Sequence, residues 1–273
     1  MAGEPDPRYV VARRVLLDAL AALEDHRDNL VIIGAQAVYY WTSEADLYVA
    51  PFTSDADLCI DPRGLKGEPL LERALAGAGF VRGRNPGEWR GPHDVSVDLL
   101  VPSALASPAG RRAARIPPHA DGVARKADGI EGCVMDAGLE TIGALGPDDA
   151  RTVAIRVAGP GAMMVAKLIK LDERVGGRAQ RMLPKDALDI YRLLVARSED
   201  DTAGRFAVLL ASDVSRPVAE RAIEILGRLF SRAEAPGPFM LVEAIGAAGQ
   251  PDLERQRCVG LARALHARLT ESQ

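Results

Sequence analysis

The amino-acid sequence predicts an α+β fold, in which a small mixed β-sheet with flanking helices is followed by an α-helical C-terminal domain. Short apolar, β-branched runs that are typical of strands recur up to about residue 158. Gly159-Pro160-Gly161 then interrupts the pattern. Beyond this point the apolar residues recur at helical spacing. We therefore predict a core domain over residues 1–158 and a helical domain over residues 159–273.

Size and composition set the first limits on function. The chain has 273 residues, 48% hydrophobic and 26% charged, which is ordinary for a globular protein and enough for two domains. A net charge of −4 argues against a strongly basic nucleic-acid coat but allows a local basic cleft. We see no signal peptide and no run of about 18 apolar residues, so we expect a cytoplasmic protein with no membrane partner.

The cysteines are also consistent with a cytoplasmic protein. Cys59, Cys133 and Cys258 form no CxxC pair and have no histidine at zinc-ligand spacing. We expect Cys59 and Cys133 to be buried strand residues and Cys258 to lie near the last helix. Unpaired cysteines suit a reducing compartment.

The first elements form a helix, a strand and a second helix. Asp6-Pro7 is typical of a helix start, with an N-cap followed by proline, and helical spacing continues to about residues 26–28. Residues 30–33 are a β-rich run, predicted to be a buried strand, and Gly34 leads into a helix over 35–41. This order brings backbone N–H groups to a helix N-terminus, where an anion can bind. A tight turn with no ligand is the alternative.

The next strand, predicted over residues 52–61, carries two acids on one face. Side chains alternate along a strand, so Asp55 and Asp57 share a face with Cα atoms ~6.5 Å apart, while Leu58 and Ile60 face the core. Two carboxylates repel by about 4 kcal/mol at ~4 Å and an effective dielectric near ~20. A cation such as Mg²⁺ relieves this repulsion. A solvated strand edge is the alternative.

A third acid lies on a later strand, predicted over residues 94–102. Asp98 shares a face with Ser96, opposite a face of valines, and could lie beside Asp55 and Asp57. A charge at a sheet end is the alternative. Around this strand we predict a helix over 70–78 closed by Gly79, a strand beginning at Phe80, a loop or short helix over 103–130, and strands over 132–135 and 152–157.

The helical half begins with an apolar stripe flanked by a basic one. Lys167, Lys170 and Arg174 recur at helical spacing, so their stems can pack while their charges reach a cleft. Gly176-Gly177 is predicted to end this helix and Pro184 to begin the next. Further helices are predicted over 205–211, 217–232, 239–247 and 253–269.

Several common motifs are missing from the sequence. It has no GxxxxGK[ST] loop, no GxGxxG, no HExxH and no GxSxG, and its four histidines are scattered. P-loop enzymes and generic serine, cysteine and zinc hydrolases therefore have no support.

The remaining features occur in a definite order: strand-Gly34-Ala35-helix, then Asp55-x-Asp57, then Asp98, then paired lysines. This set resembles the nucleotidyltransferase superfamily with the DNA-polymerase-β-like core. That superfamily has an apolar strand ending in Gly-Ser or Gly-Gly, a DxD or DxE pair on the next strand, and a third carboxylate. The resemblance covers residues 30–100 well and 162–195 moderately, and the rest of the chain matches only in being helical.

Within that superfamily the helical half is similar to the AbiEii-type toxin group. That group carries a lysine in an Ala-Lys-Leu context and a later Lys/Arg-Asp pair. This chain has Val165-Ala166-Lys167-Leu168 and Lys185-Asp186-Ala187-Leu188-Asp189. Two features depart from the pattern. Ala35 replaces a frequent serine or glycine, and Asp55 follows Gly34 by 55 − 34 = 21 positions, so 42–51 is predicted to be an inserted loop.

The resemblance implies an enzyme that transfers a nucleoside monophosphate from an NTP to a hydroxyl acceptor and releases pyrophosphate. Asp55, Asp57 and Asp98 would bind Mg²⁺, two ions in all, and Asp98 would help deprotonate the acceptor. The nucleotide would contact Gly34, Ala35, Ser54, Lys167 and Lys170. Lys167 would neutralise triphosphate charge, and Asp186 would orient that lysine or the acceptor.

The helical residues also have interpretations without a role in a site. Asp186 would be an acid at a helix N-terminus, and Lys170 and Arg174 would be solvated helix charges. The AbiEii-like half implies a toxin-type enzyme that acts on tRNA or protein and has a possible cognate antitoxin partner. Two other functions stay open: a small-molecule nucleotidyltransferase of the aminoglycoside type, and a non-catalytic binding module that kept the fold. The departure at Ala35 favours the last.

Overall fold

A mixed, open β-sheet and many helices build this protein, consistent with the predicted α+β class. The computed structural model describes residues 5–45, 47, 49–107, 112–175, 184–246 and 249–271. The strands there are β1 (Leu30–Ile33), β2 (Asp55–Ile60), β3 (Val81–Arg82), β4 (Glu88–Arg90), β5 (Ser96–Pro102), β6 (Ala113–Ala114), β7 (Ala124–Ala127), β8 (Ala137–Gly143) and β9 (Thr152–Ala158). The helices are α1 (Pro7–Ala22), α2 (Gly34–Trp41), α3 (Leu71–Gly77), α4 (Pro160–Val175), α5 (Pro184–Ala196), α6 (Glu199–Ala211), α7 (Arg216–Phe230), α8 (Pro236–Ile245) and α9 (Pro251–Glu271).

The centre of the sheet is formed by β1 and β2. The strand order is β3-β4-β5-β2-β1-β9-β8. Strand β2 is antiparallel to β1 and parallel to β5, while β1 is parallel to β9. Strand β7 continues the sheet beside the C-terminal half of β5, and β6 pairs with β7. All four residues of β1 are buried, as its continuous apolar run predicts.

The predicted start of the first helix is confirmed. The Asp6 side chain accepts a hydrogen bond of 2.8 Å from the Arg8 backbone N–H, and Pro7 begins α1. The helix ends at Ala22, and a 3₁₀ segment, Glu24–Asn29, leads into β1. The predicted strand and helix over residues 30–41 are also confirmed by β1 and α2.

Two predictions in the middle of the chain are wrong, and the strands β4 and β8 were not predicted. Residues 132–135 are no strand, because Glu131–Val134 is a buried 3₁₀ turn that contains Cys133; a short apolar run does not distinguish the two. The strand of this region is β8, an edge strand whose half-exposed residues gave no pattern. The segment 103–130, predicted to be a loop or short helix, contains β6 and β7. These two strands and β4 are too short to show periodicity.

The helical half follows the predicted order, but helices α6 and α8 begin earlier than predicted. Helix α8 begins at Pro236 and not at residue 239, because proline suits the first turn of a helix. Helix α6 begins at Glu199 and not at residue 205, because Ser198 caps it by accepting a hydrogen bond of 3.1 Å from the Asp201 N–H. The predicted helix end at Gly176-Gly177 lies outside the described residues. The described residues within 42–51 are turns and irregular backbone after α2.

The sheet and the helical half meet at α2. Strand β9 ends at Ala158 and α4 begins at Pro160, where the sequence placed its boundary. The Trp41 indole N–H donates to the Ala158 carbonyl at 2.7 Å, and the Arg197 guanidinium donates to the Trp41 carbonyl at 3.0 Å. Buried apolar side chains form one core through both halves. The division into two domains stays a prediction.

Candidate active site

The register of the central strands brings three acids to one face of the sheet. Asp57 is the Cα partner of Asp98 on the parallel strand β5, and Asp55 is the partner of Ser96. Register partners on neighbouring strands point to the same face, so Asp55, Asp57 and Asp98 lie in one row. The structure thus brings together the three carboxylates that the sequence singled out. We call them the acid row.

The turn at Gly34 lies directly against this row. Gly34 has φ +72°, in the left-handed region, and an added Cβ would lie 2.1 Å from Asp57 Oδ2. Both facts require glycine at this position. The Asp57 carboxylate therefore packs on the backbone where α2 begins. Ala35 is buried beside it and offers only backbone groups, and Ser54 is exposed at the start of β2.

Side chains outside the predicted set hold the start of β2. The Thr53 hydroxyl donates to Asp55 Oδ1 at 2.5 Å. The Gln36 side-chain amide donates to the Asp55 carbonyl at 3.1 Å, and its own oxygen accepts from Arg13 Nε at 2.7 Å. Thr53 was detectable from the sequence, because it lies two residues before Asp55 and so shares its face. The contact of Gln36 depends on how α2 packs on β2.

The environment of Asp57 disfavours its negative charge. Desolvation raises the pKa of Asp57 most, and the neighbouring Asp55 and Asp98 carboxylates raise it further. Lys170 and Lys167 act in the opposite direction without cancelling this effect. These two lysines are on α4, so α4 lies near the acid row. Asp55 and Lys170 are both exposed to solvent, and we call the space between the acid row and α4 the cleft.

Lys167 is buried within an ion-pair network on α4 and α5. Its ammonium lies 2.6 Å from Asp189 Oδ2 and 3.6 Å from Asp186 Oδ1. Arg174 contacts the other oxygen of Asp186. Two cations and two carboxylates thus balance one another. The structure brings Asp186 to Lys167, as the sequence proposed, and adds Asp189, which the sequence did not single out.

Lys170 and Lys185 form the cationic wall of the cleft. Within the described residues neither has a carboxylate oxygen within 4.0 Å. Lys170 is exposed to solvent inside the cleft, and its pKa is lowered first by desolvation and then by Lys167. Desolvation also lowers the pKa of Lys185, whose ammonium lies 5.6 Å from the Phe52 ring centroid. The sequence contains the Lys185-Asp186 pair but does not indicate that Lys185 is a site residue.

The acid row has suitable ligands for a hard divalent cation but does not form a closed metal site as placed. Among the described parts of the chain, no three His, Cys, Asp or Glu residues are close enough to hold an ion. Arg125 Nη2 lies 2.9 Å from Asp98 Oδ2. Carboxylate oxygens on one face are the ligands that Mg²⁺ prefers, so Asp55 and Asp57 fit such an ion. Asp98 would join them after turning from Arg125.

Comparisons of the chain with protein-family models and with curated protein sequences find no match. Across the ranges that the structure describes, no helix combines the length and the apolar character needed to cross a bilayer. The class of protein is therefore inferred from the residues and their geometry.

Proposed function

We propose that this protein is a nucleotidyltransferase, with a nucleotidyltransferase core over residues 1–158 and a helical C-terminal domain over 159–273. It would transfer a nucleoside monophosphate from an NTP to a hydroxyl acceptor and release pyrophosphate. One observation carries the proposal: the acid row on the sheet faces the cationic wall of Lys170 and Lys185 across a cleft. A nucleotide triphosphate with a divalent cation presents the opposite charge to each wall.

Each group of residues has a role in this reaction. Bound Mg²⁺, held by Asp55 and Asp57, would supply charge neutralisation at the phosphate oxygens. Lys170 and Lys185 bind the triphosphate and hold the pyrophosphate as it leaves. The acceptor oxygen attacks the α-phosphorus in line while its proton passes to Asp98. Lys167, fixed by its two carboxylates, adds positive potential behind the phosphates.

Acceptor and partner are proposed from the resemblance to the AbiEii-type group. The acceptor is tRNA or a protein hydroxyl, and a cognate antitoxin is the expected partner. The small-molecule alternative predicts that an aminoglycoside is labelled without RNA. The non-catalytic alternative is favoured by Ala35 and by the ion pair that engages Asp98, and it predicts no turnover.

The test is transfer of label from each of the four α-labelled NTPs to total tRNA, protein or an aminoglycoside, with Mg²⁺. Asp57→Asn should reduce transfer about a hundredfold or more, since changes to groups that merely support metal ligands cost 10- to ~100-fold. Asp94→Asn is the matched control, because Asp94 is exposed and its ion-pair partner among the described residues is Arg90, at 3.0 Å. Persistent transfer in Asp57→Asn refutes the site. No transfer to any acceptor, with no Mg²⁺-dependent thermal shift by any NTP, supports the non-catalytic module.

A further inference from the structure

A cavity of about 410 Å³ opens beside Asp98 on the side of β4 and β7. Its lining includes Glu88, Asp98, Arg112 and Arg125. Gly87 lets these strands approach: an added Cβ would lie 2.7 Å from the Arg125 backbone nitrogen, and its φ is +78°. The cavity and the acid row thus meet at Asp98.

Basic and acidic side chains both line this cavity. Arg112 and Arg125 stand against two acids, Glu88 and Asp98. The Glu88 carboxylate is already engaged from outside the cavity, because Arg90 Nη2 lies 2.8 Å from its Oε1. The remaining balance therefore favours an anion close to Asp98.

The contact between Arg125 and Asp98 leaves the guanidinium with spare donors. Only Nη2 contacts Asp98, at 2.9 Å, although a guanidinium carries five N–H groups. The Arg125 side chain is 35% exposed. Arginine binds phosphate through two parallel hydrogen bonds, so Arg125 can accept a phosphate from the cavity while it remains beside Asp98.

We propose that Arg112 and Arg125 form a binding site for a phosphate group of the acceptor, whose hydroxyl then reaches Asp98. This inference rests on the proposed function, since Asp98 is the group that takes the hydroxyl proton. A phosphate next to a hydroxyl is the chemistry of a polynucleotide strand end. A polycationic aminoglycoside meets the wrong charge here, and an unmodified protein hydroxyl brings no phosphate.

The first experiment measures binding without catalysis. A short single-stranded RNA with a free 3′ hydroxyl, labelled at its 5′ end, is titrated with the intact protein over a range of salt and without NTP. Arg112→Gln should weaken binding about tenfold. It should also reduce the slope of log affinity against log salt by ~0.7, the value for one lost phosphate contact on a single strand. Arg115→Gln is the matched control, because Arg115 is exposed, pairs with Asp121 and does not line the cavity.

The second experiment measures transfer to RNA. Arg112→Gln should lower kcat/KM for the RNA about tenfold and leave the KM for NTP unchanged, with a melting temperature equal to that of Arg115→Gln. If Arg112→Gln matches Arg115→Gln in both assays, or if protein is labelled and RNA is not, the phosphate site is wrong while the proposed function stands. Binding that depends on Arg112 without any transfer in the unmodified protein supports the phosphate site and overturns the proposed function.

Discussion

Replacement of Lys167 by methionine tests whether this lysine holds the helical half together. Methionine matches the length of the stem but has no charge, so Lys167→Met removes the partner 2.6 Å from Asp189. Asp189 is fully buried, and its Oδ1 has no hydrogen-bond partner within the described residues. The substitution therefore leaves a buried carboxylate that has no cation within 4.0 Å among the described residues. Asp186 still has an ion-pair partner, because its contact with Arg174 remains.

The size of the effect follows from this burial. Breaking a buried ion pair by removing one partner costs about 3–5 kcal/mol. In a protein of this size each kcal/mol lowers Tm by about 2 °C, so Lys167→Met should lower Tm by about 6–10 °C. Lys170→Met is the matched control: Lys170 is exposed on the same helix and lacks an ion-pair partner in the part of the chain described, so its effect on stability should stay within about 0.5 kcal/mol.

The assay is urea unfolding followed by circular dichroism, combined with a double variant. Lys167→Met with Asp189→Asn removes both charges and should recover at least about 2 kcal/mol of the loss, because no buried charge then lacks a partner. A Lys167→Met protein as stable as Lys170→Met would refute the reasoning. Equal stability of the single and double variants would also refute it, since the loss would then come from packing.

Two further predictions concern backbone conformation and pH. Gly34→Ala should cost more stability than Gly79→Ala and should abolish transfer. Both glycines have positive φ, which costs an alanine about 1–2 kcal/mol, but only at Gly34 does an added Cβ overlap Asp57. Equal losses of unfolding free energy in urea would contradict this prediction. His119 accepts a hydrogen bond of 3.2 Å from the Leu71 N–H through Nδ1, and burial lowers its pKa below the ordinary value of 6.5. The unfolded chain therefore binds more protons than the folded protein just below pH 6.5. The unfolding free energy should therefore decrease as the pH is lowered through this range, and His119→Gln should remove part of this dependence.

The sequence predicts those parts of the site that depend on local periodicity. Alternation along one strand places Asp55 and Asp57 on one face, and a glycine after a buried strand predicts the turn that packs on Asp57. Contacts between distant segments cannot be predicted from local periodicity. The pairing of Asp98 with Arg125 depends on the register of β7 beside β5, and β7 has only four residues, Ala124–Ala127, none of them β-branched. Its composition therefore gives no strand signal.

The helical half shows the same limit. The basic stripe on α4 was visible, but the choice between a buried lysine and an exposed one was not. Lys167 and Lys170 are three residues apart, and only the packing of α5 decides that Lys167 meets Asp189 while Lys170 faces the cleft. Periodicity gives the face of a helix but not its neighbour.

The pKa shifts of Asp57 and Lys170, on opposite walls of the cleft, show that the attraction between the two walls does not offset desolvation. Two groups that form a stabilising ion pair shift toward their charged forms, the acid downward and the lysine upward. Here the pKa of Asp57 is raised and that of Lys170 is lowered, so the charged form of each of these two residues is disfavoured. A ligand that carries a cation to the acid row and an anion to the lysines relieves both costs at once, as a metal-bound triphosphate does. We infer that the charge arrangement of this cleft serves a ligand and not the stability of the fold.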